Sequence, residues 1–93
     1  MREKQVEQQL VQATKAIGGI CLKLTSPSMA GIPDRVVLLP NGKIGFVEVK
    51  AQKKKPRPLQ VYRMKQLTNL GFWCFVLDEI EQIGGILNEI QSA

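Results

Sequence analysis

Asp34, Glu48 and Lys50 are the residues of this chain best placed to do chemistry together. Glu48 and Lys50 lie two positions apart at the end of an apolar run, residues 44–49, so an extended chain turns both to one face. A second apolar run, residues 36–39, precedes it, and Asn41-Gly42 between β-branched runs is a strong hairpin signal. A hairpin returns the end of its second arm to the start of its first, which brings Asp34 beside Glu48 and Lys50. Two carboxylates held close repel each other unless something neutralises them. A hard divalent cation does so while keeping room for water and phosphate oxygens. A lysine alongside can orient or polarise an attacking water, or stabilise developing charge. The plainer alternative is an ion pair closing a β-ribbon.

The register decides whether the three groups meet. A two-residue loop, Asn41-Gly42, sets Asp34 against Val49 and turns its side chain away from Glu48. A three-residue loop, Asn41-Gly42-Lys43, sets Asp34 against Lys50 and Val36 against Glu48. One face then carries Asp34, Val36, Leu38, Ile44, Phe46, Glu48 and Lys50, an apolar base with a charged rim. The chemistry favours this second register, and Gly42 tolerates the αL conformation it needs.

Other elements must hold this hairpin. Val6, Leu10, Ala13 and Ile17 mark one face of an amphipathic helix over 2–17, ended by Gly18-Gly19, with Glu7 at the border of that face. Residues 20–24 read as a first strand, in which Lys23 either points toward the acids or protects an edge. Residues 25–32 form a loop leading into Pro33-Asp34, a natural place for substrate contact. A basic linker over 51–57 precedes a helix from Pro58 to about Leu70, with Leu59, Tyr62, Leu67 and Leu70 as its apolar stripe and Gln60 in its first turn. Residues 72–77 are apolar at every position, a strand either central, packed between helices, or buried in a subunit interface. Asp78 and Glu81 suggest a capping box for a last helix with Ile80, Ile83, Leu87 and Ile90 inward, interrupted or delayed by Gly84-Gly85.

Composition limits the chemistry. The 93 residues suit one domain with a thin core, and 44% hydrophobic content argues against disorder. With no histidine, a Ser-His triad, a His general base and a Cys/His zinc site are all excluded. Cys21 and Cys74 each sit in an apolar run and read as buried free thiols. The charged N-terminus leads into a helical pattern and no apolar run approaches the ~20 residues of a membrane span, so a soluble, non-secreted, cytoplasmic protein is expected. The net charge of +5 is concentrated: residues 50–65 hold Lys50, Lys53, Lys54, Lys55, Arg57, Arg63 and Lys65 and no acid. Such a segment beside an acidic metal site suits a polyanionic substrate.

Pro33-Asp34-Arg35 followed by Glu48-Val49-Lys50 resembles the PD-(D/E)XK nuclease superfamily. Within it, G31-I-P-D-R, the Asn-Gly turn, F-V-E-V-K and P58-L-Q60 resemble the virus-type replication-repair nuclease (VRR-NUC) domain, over residues 7–77. The resemblance implies a restriction-endonuclease-like α/β core in the order α-β-β-β-α-β, a mixed central sheet flanked by helices, with residues 1–93 as a single such domain. It also implies Mg²⁺- or Mn²⁺-dependent hydrolysis of DNA. Asp34 and Glu48 are then the metal ligands, joined by the Val49 carbonyl and, directly or through water, by Glu7. Lys50 serves the attacking water and Gln60 steadies the site. Lys23, Arg35, Lys53, Lys54, Lys55 and Arg57 are expected to meet DNA. The expected assembly is a homodimer acting on branched DNA, four-way junctions first and flaps second, in a bacterial or phage-infected cell. Two other readings are a non-catalytic nucleic-acid-binding module and a protein-interaction domain built on the Trp73 strand.

Overall fold

The computed structural model describes residues 2–93. Four strands form one sheet in the order β1-β2-β3-β4, where β1 is Ile20–Lys23, β2 Arg35–Leu39, β3 Lys43–Val49 and β4 Trp73–Leu77. The first three pair antiparallel, and β4 joins β3 in parallel. Helix α1 (Glu3–Ala16) precedes β1, α2 (Pro58–Asn69) makes the crossover from β3 to β4, and α3 (Ile83–Ser92) closes the chain. The α-β-β-β-α-β core order expected from the sequence is the order observed, with α3 added after it.

Alternation along the strands divides the sheet. Val37, Leu39, Val47, Val49 and Leu77 point to the face that receives α1 and α3. They meet Val6 and Leu10 of α1 and Ile83, Ile86, Leu87 and Ile90 of α3 in the core. Gly45 belongs to this face: a Cβ there would lie 2.5 Å from Ile90 Cδ1, so its lack of side chain is what lets α3 sit down. The opposite face carries Val36, Leu38, Ile44, Phe46 and Glu48, with α2 at one end of it. At the far side of that face Ile20 and Leu22 of β1 remain 57% and 47% exposed.

Four sequence expectations need correction. The hairpin closes through a 3-10 turn at Pro40–Gly42, and pairs Val36 with Phe46 and Leu39 with Lys43. Neither expected register did so. Pro40 has no N–H for the ladder, so β2 ends at Leu39, and Asn41 and Gly42 turn the chain at φ 67° and 71°. The parity is that of the favoured register, and the pairing carried on sets Asp34 against Glu48. Second, β4 is an edge strand, not a central one. Third, α2 turns most of its apolar stripe outward: Leu59, Tyr62 and Leu70 are exposed and Gln60 is its buried residue. Fourth, Gln82, not Glu81, closes the capping box: its Oε1 accepts the N–H groups of Asp78 and Glu79 around a 3-10 turn at Ile80–Gln82, and α3 follows with Gly84-Gly85 inside its first turn.

Candidate active site

The site forms where β2 and β3 stop pairing. Past Arg35–Val47 the ladder would set Pro33 against Val49, but proline offers no N–H to that residue's carbonyl. The Val49 N–H instead donates to Asp34 Oδ2 at 3.2 Å. The N–H and C=O of one strand residue point to the same side, so the Val49 carbonyl also stands on the Asp34 side. The Asp34 carbonyl accepts the Leu24 N–H at 2.7 Å, which ties this corner to the chain following β1.

Glu48 is the centre of the site. Its side chain is 1% exposed. Oε2 accepts a hydrogen bond from Gln60 Nε2 at 2.7 Å and faces Lys50 Nζ at 3.2 Å. Oε1 is buried and has no hydrogen-bond partner. Burial pushes the Glu48 carboxyl above its usual range, and the charge of Asp34 pushes it further. The Lys50 ammonium acts the other way, as does the nearby Asp34 backbone N–H, which does not reach hydrogen-bond geometry with Oε1. A desolvated carboxylate with a bare oxygen, beside a second carboxylate, is short of positive charge.

Gln60 is fixed at both ends. Its Oε1 accepts the Arg57 N–H at 2.8 Å, capping α2, which obliges Nε2 to face Glu48. The apolar neighbours of Gln60 on α2 gave no sign of this burial. Its signal in the sequence is its place in the first turn after Pro56 and Pro58, where a side chain can cap the helix and face the sheet at once.

The structure brings together Asp34, Glu48, Val49, Lys50 and Gln60. It places Glu7 elsewhere. Glu7 Oε2 accepts from Arg35 Nε at 2.8 Å on the α1 side of the sheet, and no group of three Asp, Glu or Cys side chains able to hold a metal occurs among the described residues. Strand alternation explains it: Arg35 follows Asp34 and so faces the opposite way. Lys23 pairs across from Arg35 on that same side, exposed, and does not point toward the acids. Lys53, Lys54, Lys55 and Arg57 are exposed on the linker. Sequence reasoning missed what shapes that linker: the Lys53 N–H donates to Asp78 Oδ2 at 3.3 Å, and Gln52 Nε2 donates to Glu79 Oε1 at 3.4 Å. Both thiols, Cys21 and Cys74, are raised, chiefly by burial, and unpaired in disulfide terms.

No helix among the described residues is long and apolar enough to cross a membrane. No family model matches the chain. It is 49% identical over 78 residues to the protein named "Putative nuclease p44" of Acyrthosiphon pisum secondary endosymbiont phage 1, a match covering 84% of each. A solved structure described as a VRR_NUC domain superposes with a TM-score of 0.87 at 32% identity, over 92% of this chain and 94% of that one. With its mixed four-stranded sheet, its Asp34 and Glu48-Val49-Lys50 gathered at one strand end, and these two likenesses, the chain belongs to the VRR-NUC family and has its restriction-endonuclease-like fold.

Proposed function

We propose that this protein is a Mg²⁺- or Mn²⁺-dependent DNA endonuclease selective for DNA structure. The observation that carries the reading is Glu48 Oε1, buried and unpartnered beside Asp34. The donor set fits a hard cation: two carboxylates, a strand carbonyl at Val49 and no soft ligand. Asp34, Glu48 and the Val49 carbonyl would hold it. When bound, such an ion neutralises the carboxylate pair and the phosphate and makes water more acidic.

The chain's own groups do the rest. Lys50, 3.2 Å from Glu48, stands to orient the attacking water and to offset charge gathering on the phosphate oxygens. Gln60 holds the Glu48 carboxylate in one orientation, so its direct role is positioning. Glu7 neutralises Arg35 and fixes α1 to β2. The exposed Lys53, Lys54, Lys55 and Arg57 supply attraction for the DNA backbone.

The named phage relative supports a nuclease in this chain, and exposed apolar groups at both edges of the sheet support assembly. Ile20 and Leu22 on one side and Trp73 and Val76 on the β4 edge leave large apolar groups in water, which a second copy would bury. A two-fold dimer presents two sites, which suits paired cuts in a four-way junction; a flap or nicking activity of replication and repair is the second reading. Cleavage of single strand, duplex, flap and three- and four-way junctions, with Mg²⁺, Mn²⁺ or chelator, tests the function. Metal-independent cutting or no cutting of any substrate would defeat it. Sedimentation at active concentrations tests the dimer, and a monomer there would defeat that part.

A further inference from the structure

Helix α2 hides a polar residue and shows its apolar ones, the reverse of an ordinary surface helix. Tyr62, the chain's one tyrosine, is 54% exposed. The Arg63 guanidinium lies over its ring, with Cζ 5.5 Å from the centroid. That guanidinium is not loose: Nε donates to the Ala30 carbonyl at 2.8 Å and Nη1 to Gln66 Oε1 at 2.9 Å. An anchored cation therefore steadies the ring, which stays open to solvent.

The surroundings say what kind of partner fits. From Lys50 to Leu77 the chain contains seven basic residues and no acidic one. Aromatic rings in a cationic surface are the means by which proteins hold single-stranded nucleic acid, bases stacking on the rings and phosphates meeting the cations. The position also fits. Leu59 lies one helical turn before Tyr62 and packs on Gly31, where a Cβ would come within 2.7 Å of Leu59 Cγ. Gly31 leads in three residues to Asp34, and Gln60 touches Glu48. Two residues separate Tyr62 from Gln60, about 200° around the helix, so the ring stands on the outer side of α2, whose inner side meets Glu48.

We infer that Tyr62 is a stacking platform for an unpaired base of the substrate strand, on the outer face of the helix that walls the cleavage centre. The inference rests on the nuclease reading and deepens it, because a platform for an unpaired base gives a physical source for preference toward branches and flaps over plain duplex. It commits the exposed face of α2 to DNA and not to a second copy.

The test uses the full chain in an Asp34→Asn background with Mg²⁺, and compares binding of a single strand, a flap and a blunt duplex. Tyr62→Ala should weaken single-strand and flap binding by about 5- to 150-fold, the equivalent of one base–aromatic stack of about 1–3 kcal/mol, and duplex binding by less than about twofold. Tyr62→Trp should restore binding. A 2-aminopurine placed position by position in the flap should show quenching at one or two positions near the cut, absent in Tyr62→Ala. Equal losses on duplex and single strand, no loss, or no position-specific quenching would each overturn the inference while leaving the nuclease intact. Loss of self-association in Tyr62→Ala with unchanged DNA binding would also overturn it, assigning the face to a second copy. Failure of the Asp34→Asn parent to bind any of the three DNAs would instead sink the nuclease reading.

Discussion

Replacing Glu48 by glutamine separates a metal ligand from a structural ion-pair partner. In the metal-free protein the Glu48 carboxylate keeps one oxygen without a donor while Asp34 repels it. An unsatisfied buried polar group costs ~1–3 kcal/mol, and more when charged. Glutamine keeps the shape, accepts the same hydrogen bond from Gln60, and offers Asp34 an amide donor in place of a like charge. Lys50 loses a partner, but its side chain is 18% exposed and reaches water. In chelator, Glu48→Gln should therefore be as stable as the wild type or more so, by up to ~1–3 kcal/mol. For a domain of this size each 1 kcal/mol moves Tm by roughly 4–8 °C. Added Mg²⁺ or Mn²⁺ should reverse the order. An ion at 100 times its Kd stabilises by about 2.7 kcal/mol, so the wild type should gain roughly 10–20 °C and the variant almost nothing. Thermal melts by circular dichroism, with chelator and across a metal titration, read both effects. A variant that loses more than ~1 kcal/mol in chelator, with a wild type indifferent to metal, would show Glu48 to be a structural partner of Lys50 and Gln60 and refute the reasoning.

Three further outcomes are expected. Lys50→Ala should fold and bind metal, yet lose about 10²–10³ in cleavage rate at saturating DNA; a loss confined to DNA affinity would make Lys50 a phosphate contact. Lys53, Lys54 and Lys55 changed together to alanine should lower the slope of log K against log salt by up to about 0.9 per lost phosphate contact, and an unchanged slope would place the linker away from DNA. The pH dependence of the metal-free protein follows from the raised Glu48 carboxyl. The folded state holds that proton more tightly than the unfolded state, so this group's penalty is complete above its folded pKa and is relieved as pH falls through it toward the unfolded value. The stability advantage of Glu48→Gln in chelator should therefore shrink on acidification from neutral pH; a constant or widening gap in Tm would contradict it.

The sequence reading reached the site through its ordered residues, and its errors came from choices that periodicity leaves open. Glu48 and Lys50 share a face by strand alternation, and Asp34 joins them because the hairpin takes the parity that the chemistry favoured. The pairing was misjudged because the loop was read as Asn41-Gly42 with or without Lys43, whereas Pro40 is where the ladder must stop and so belongs to the loop. The stripe on α2 was visible as a period, but a period does not say which side meets the protein; the Gln60–Glu48 bond decides it. Glu7 was assigned from its place at the border of the α1 face and from family likeness, though alternation already set Arg35, its eventual partner, on the face away from Asp34. The linker's anchoring on Asp78 and Glu79 depends on chain ends meeting in space, which no local pattern records.

The burial of Gln60 has a consequence for cooperativity. A helix fastened by a polar side chain and by few apolar ones contributes little to global stability, and can detach without unfolding the rest. The core lies on the other side of the sheet, with α1 and α3. Amide hydrogens of α2 should therefore exchange through a low-energy local opening, while those of β3 wait for global unfolding. Each such opening admits water to Glu48, so the wall that orients the carboxylate is also the part of the molecule that breathes, and its closed population sets how often the centre is assembled.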